Sequence, residues 1–150
     1  MKHLVTDQPA LFAGWVAHKV DMKCSWGSYY AMGIVDDEKR QIVAAVVFNN
    51  MNGANATCHI AAERTAGRGL IVLMQAAADY AFRQCKLKRL TGLVPMSETK
   101  VIEFDKHLGW QEEFIIKDGA PDGDMMMLVM WKDQCRWLRG ESNGRESQQN

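Results

Sequence analysis

The chain has 150 residues with 18 basic and 18 acidic side chains, so no net charge draws it to nucleic acid or to an anionic membrane. Apolar residues make up 47% and charged residues 24%, the composition of one soluble globular domain with a real core, expected over residues 1–138. No run approaches the ~18 apolar residues of a membrane span, and Lys2, His3, Thr6 and Asp7 interrupt any apolar leader. Four scattered cysteines (Cys24, Cys58, Cys85 and Cys135) form no C-x-x-C pair. They suit a reducing, cytoplasmic compartment, with neither a disulfide framework nor a metal site.

Residues 3–6 read as a short edge strand stopped by Asp7-Gln8-Pro9, where Asp7 is placed to start a helix and Pro9 suits its first turn. Leu11, Phe12, Trp15, Val16 and Val20 recur near helical spacing, so 8–22 should be an amphipathic helix. Residues 24–30 lack periodicity and read as a loop or a short second helix. Three strands follow at 31–35, 41–48 and 56–62, joined by a polar turn at 36–39 and an Asn-flanked loop at 49–55. Residues 70–85 hold no breaker and are apolar around most of the circumference, so they should be a largely buried helix. A short strand at 89–94 ends at Pro95. Ser97 or Thr99 should cap a helix running to Leu108 and closed by Gly109. Strands at 110–117 and 124–132 flank a loop at 118–123, and 139–150 should be a disordered polar tail. The order implies a mixed α/β (α+β) sheet.

Arg64-Thr65-Ala66-Gly67-Arg68-Gly69 lies between a strand and the central helix. Glycines there let backbone approach a ligand, and the first-turn N–H groups and helix dipole favour an anion by roughly 0.3–1 kcal/mol. A dinucleotide fingerprint would need glycine or alanine where Val72 stands, and a P-loop needs Gly-Lys-Ser/Thr, which is missing from the sequence.

The strand order with Arg64-x-x-Gly67-x-Gly69 resembles the GNAT superfamily of N-acetyltransferases, whose Q/R-x-x-G-x-G/A turn binds the pyrophosphate of acetyl-coenzyme A. The run Val101-Ile102-Glu103-Phe104-Asp105-Lys106-His107-Leu108-Gly109-Trp110 is similar to the family's leucine-glycine-aromatic step into the sixth strand. Residues 124–131 resemble its closing strand. Cys135-Arg136-Trp137-Leu138 resembles compact acetyltransferase-like proteins of tailed bacteriophages. The resemblance spans residues 3–132 and implies a GNAT-like acyl-CoA N-acyltransferase fold, a mostly antiparallel sheet with helices on both faces. It implies direct, metal-free transfer from acetyl-CoA to a small-molecule or protein amine, in a bacterial host's cytoplasm if the protein is phage-encoded. A homodimer stays open.

The resemblance also implies site residues. The backbone of Ile60, Ala61 and Ala62 would hold the pantetheine arm, and Arg64, Gly67, Arg68, Gly69 and Leu70 the pyrophosphate. Trp26, Tyr29 and Tyr30 fall where the acceptor site would lie, although core packing accounts for them as well. His59 and Glu63 are the candidate bases. His59 alternates with Thr57 and Ala61, opposite Cys58, Ile60 and Ala62, and has an unperturbed pKa of about 6.5. Its plainer reading is a hydrogen-bonded histidine beneath a helix, and that of Glu63 is a solvated carboxylate. Ser97 could orient a water or only cap a helix. The family's tyrosine acid is replaced by Asp105, and Glu98 stands where an asparagine is common. A weak or inactive member, serving as a binding or virion-associated module, is therefore the rival reading.

Overall fold

The computed structural model describes residues 1–138; the tail expected at 139–150 lies outside the described residues. The elements run β1 (Lys2–Val5), α1 (Pro9–Lys19), β2 (Tyr29–Asp36), β3 (Gln41–Asn49), β4 (Asn55–Ala62), α2 (Arg68–Ala78), β5 (Arg89–Pro95), α3 (Thr99–His107), β6 (Gln111–Ala120) and β7 (Gly123–Trp131). One sheet takes them in the order β1-β2-β3-β4-β5-β7-β6. Every neighbouring pair is antiparallel except β4 and β5, which α2 connects as a parallel crossover.

The two-residue period of β3 builds both halves of the core. Ala44, Val46 and Phe48 face α2, while Ala45 and Val47 face α1. Phe12 and Val16 of α1 are fully buried on one face of the sheet. Leu73, Met74 and Ala77 of α2 share the other face with Ile102 of α3 and with Leu108 at its end. Each fully buried Val, Leu or Phe contributes about 1.5–3 kcal/mol. Helices thus cover both faces of a mostly antiparallel sheet.

Local details depart from the sequence expectations. Gln8, not Asp7, precedes α1 and makes no side-chain cap, so Pro9 starts the helix by needing no N–H partner. Residues 24–30 form no second helix; Tyr29 and Tyr30 instead begin β2. The long helix is α-helical only to Ala78 and continues as a π-helical segment, Asp79–Gln84, with Tyr80 against Tyr30 and Phe48 at ring-centroid distances of 4.4 and 5.2 Å. Nor is α2 buried all round: Ile71 and Val72 are 47% and 45% exposed. Neither Ser97 nor Thr99 caps α3; Glu98 holds the cap position and Thr99 is already helical. Gly109, at φ 109°, does follow the C-cap Leu108. Finally, β6 runs on to Ala120, leaving only Pro121 and Asp122 to turn the chain.

Candidate active site

β4 and β5 pair only at Asn55–Arg89, Ala56–Leu90 and Thr57–Thr91. Thr91 Oγ1 donates to Asn55 Oδ1 at 2.8 Å and fastens this closed end. Beyond it, β4 stays paired to β3 as far as Ala62–Ala44, and β5 to β7 as far as Pro95–Met125. Each strand follows its outer neighbour, and a gap opens between them. The β5-facing backbone groups of 58–62 are left without a ladder partner there. A cavity of about 390 Å³ occupies the gap. It runs from Asp21 after α1, past His59 and Ile60 of β4 and residues 92–95 of β5, to Asp105 of α3 and Trp110.

His59 is fixed from two sides. Its Nε2 is 3.0 Å from Asn49 Oδ1, while Asn49 Nδ2 donates to the Trp26 carbonyl at 3.1 Å. The amide oxygen is therefore the acceptor, Nε2 carries the proton, and Nδ1 keeps its lone pair. The Trp26 ring stands edge-on to the imidazole at 4.6 Å, held by its own Nε1–H donating to the Ala13 carbonyl at 3.1 Å. Burial pushes the His59 pKa down to about 4, so the ring is neutral at pH 7. The two sequence readings coincide: His59 is a hydrogen-bonded histidine beneath α1 and also lines the cavity.

Asp105 reaches the cavity from α3. It is half-buried, and among the described residues its carboxyl has no hydrogen-bond or ion-pair partner. Burial raises its pKa to about 7. The neighbouring Cys58 thiol is pushed far above its usual range, first by burial and then by the Asp105 charge, so it remains a protonated core residue. The sequence held a signal for Asp105 as a lining group: it is a carboxylate inside the apolar stripe Val101, Ile102, Leu108.

Other expected residues are placed elsewhere. Glu63 pairs with Lys19 and faces a separate groove beside Trp15 and Ile42, off the cavity wall. Ser97 is exposed in the turn before α3; its neighbour Glu98 lines the cavity instead. Ile60 lines the cavity, whereas Ala61 packs towards α1 and Ala62 towards α2. The three aromatics split up. Only Trp26 stands by His59, while Tyr29 and Tyr30 border a separate hollow of about 280 Å³, with Tyr30 Oη donating to the Thr6 carbonyl at 2.8 Å.

At the glycine turn, Arg64–Ala66 form a short 3-10 helix and α2 begins at Arg68. Gly67 caps it at φ 55° and ψ −131°, a backbone state that side chains resist. No side-chain cap and no acidic residue occupy the first turn of α2; the Leu70 N–H donates to the Gly67 carbonyl at 3.2 Å, and those of Arg68 and Gly69 are available to an anion. A Cβ on Gly67 would have only Lys2 Nζ and the Thr65 carbonyl near it, each at 4.0 Å. Lys2, which sequence reasoning missed, brings a cation beside Arg68, and both border one hollow. Arg64 and Arg68 are exposed, while Leu70 leans on the core. Gly69 serves packing rather than ligand approach: a Cβ there would lie 2.9 Å from Ile34 Cγ2 of β2. An open glycine cradle, free N–H groups and nearby cations fit a pyrophosphate.

The seven-stranded sheet, parted between β4 and β5 and flanked by the glycine turn, is a mixed α/β fold shared with solved N-acetyltransferases. Two solved forms of spermidine N-acetyltransferase SpeG from Vibrio cholerae match it with TM-scores of 0.70 and 0.69. They are 14% and 12% identical and cover 94% and 93% of this chain and 99% and 98% of their own. A dodecameric structure of spermidine N-acetyltransferase from the same organism, in an intermediate state, has a TM-score of 0.66 at 13% identity, over 87% of this chain and 94% of that one. No protein-family model and no curated protein matches the sequence. Among the described residues, no helix is long and apolar enough to cross a membrane.

Proposed function

We propose that the protein is an acetyl-CoA-dependent N-acetyltransferase that moves an acetyl group directly to an amine. The opening between β4 and β5, with His59 and Asp105 on its walls, carries this reading. Gly67, the first-turn N–H groups of α2, Arg64, Arg68 and Lys2 would hold the pyrophosphate, and the unpaired backbone of β4 the pantetheine arm. Acetyl-CoA supplies the activated acyl group when bound. His59 Nδ1 would take the amine proton, which becomes acidic once nitrogen has attacked the carbonyl. Cys58, held as a thiol, is unsuited to carry the acetyl group, which favours direct transfer over an acyl-enzyme. Much of the rate would come from holding donor and acceptor together in the cavity.

A small polyamine-like amine is the preferred acceptor, because the matching structures are spermidine N-acetyltransferases. The dodecameric neighbour supports self-association. The similarity at 135–138 supports a phage-encoded protein acting in the cytoplasm of a bacterial host. Calorimetric titration with acetyl-CoA, followed by free-thiol release over a panel of amines, tests the reading. No binding at millimolar coenzyme would sink it. Binding without thiol release would favour the rival, a binding module, which the loss of the usual tyrosine at Asp105 supports.

A further inference from the structure

We propose that Asp105 is the proton donor to the sulfur that leaves when the acetyl group is transferred. The inference rests on the acetyltransferase reading above and assigns the step left without its usual residue. Three observations carry it. First, the cavity passes between β4 and β5, with His59 on the α1 side of β4 and Asp105 on α3, which packs on the opposite face of the sheet. The acid and base candidates therefore stand on different walls of one opening. Second, Asp105 holds nothing in the fold together, since no lysine, arginine or backbone amide among the described residues bonds its carboxyl. A half-buried carboxyl without a partner is costly to keep, unless a ligand uses it.

Third, its surroundings keep it protonated near neutrality. Burial holds its pKa at about 7. The groups around it do not lower that value. Cys58 and His59 of β4 are neutral, and Glu98, at the start of α3, carries a like charge. Beyond them, at the end of α1, Lys19 is paired to Glu63 and Asp21 to Lys23.

The step balances. The lone pair of a neutral amine forms the C–N bond, and the C–S bond breaks with its electron pair going to sulfur. The Asp105 O–H passes its proton to that sulfur, giving the free thiol. Nitrogen loses a proton to His59 Nδ1, and exchange with water returns both residues to their resting states. Amine and thioester become amide and thiol.

Steady-state pH profiles of wild type, Asp105→Asn and Asp105→Tyr, with acetyl-CoA dissociation constants for each, test the assignment. In the wild type kcat falls above pH about 7. Asp105→Asn lowers kcat by about 10²-fold, removes that alkaline limb and leaves coenzyme affinity unchanged. Asp105→Tyr restores much of kcat and moves the limb towards pH about 10, the phenol range. An unchanged kcat in Asp105→Asn overturns the proposal. So does a raised amine KM with the limb intact, which would make Asp105 an anchor for the acceptor's ammonium group. A wild type that binds acetyl-CoA but acetylates no amine overturns the donor role while the binding part of the functional reading survives. Absence of coenzyme binding removes both.

Discussion

Asn49 holds His59 in one tautomer: its Oδ1 accepts from His59 Nε2 at 3.0 Å, while its Nδ2 is committed to the Trp26 carbonyl. β3 and β4 carry the two residues on the same face of the sheet, so the hydrogen bond follows from register. A base that must accept a proton at Nδ1 needs its proton parked on Nε2, and this amide does that.

Replacing the amide should therefore harm turnover without touching coenzyme binding. Asn49→Ala is expected to lower kcat about 10-fold, and His59→Gln about 10²-fold, each with acetyl-CoA affinity unchanged by calorimetry. A loss of kcat in Asn49→Ala as deep as that in His59→Gln would point to collapse of the cavity wall rather than loss of the tautomer.

His59 also predicts an acid limit to stability. Its folded pKa of about 4 lies below the unfolded 6.5, so the unfolded chain binds the proton first. The stability present above pH 6.5 is lost as pH falls towards 4, by about 3 kcal/mol in all. Urea unfolding across this window should show the loss in wild type and a flatter profile in His59→Gln.

Asp105 acts with the opposite sign. Its folded pKa of about 7 lies above the unfolded 3.8, so the folded state binds the extra proton. Stability is greatest below pH 3.8 and declines as pH rises through 7. Asp105→Asn should match wild type near pH 3.5 and be more stable by roughly 4 kcal/mol at pH 8. The check is the difference in Tm between the two proteins at the two pH values.

The two glycines of the turn should fail in different ways. Gly67→Ala strains a left-handed backbone at a cost of about 1–3 kcal/mol and should weaken acetyl-CoA binding at least 10-fold. Gly69→Ala drives a methyl group against Ile34, so its cost should fall in an Ile34→Ala background. A double-mutant cycle in urea reads this coupling; strict additivity would contradict the packing role.

Thiol chemistry separates direct transfer from a covalent route. Cys24 is exposed and should react first with a thiol reagent, whereas Cys58 and Cys135 are buried and should react last. Cys58→Ala should keep acetyl transfer within a few-fold of wild type. Loss of transfer in a variant that still folds and binds acetyl-CoA would instead implicate an acetyl-cysteine.

Much of this architecture was readable from residue order. Strand alternation placed His59 with Thr57 and Ala61 opposite Cys58 and Ile60, as found, because side chains on a strand alternate wherever it packs. The Gly67 turn and the parallel crossover after it were also readable, since both depend on local chain geometry. Expected helix starts were less secure. Asp7, Ser97 and Thr99 all looked like caps, yet the chain entered α1 at Pro9 and α3 at Thr99 without any side-chain cap. Capping groups compete with solvent and with tertiary contacts, so the residue type alone does not settle the boundary.

By itself, then, the sequence determined the order of strands and helices, the faces of β4 and the position of the glycine turn, all properties of short-range periodicity and backbone freedom. Tertiary structure decided that β4 and β5 part after Thr57, that Gly69 is there for Ile34 and that Lys2 reaches the turn. It also made Asp105, an apparent deficit in the sequence, into a cavity carboxyl protonated near neutral pH. A proton affinity is set by everything packed around the group, and those neighbours come from β4, β5 and α3, strands and helices far apart in the chain.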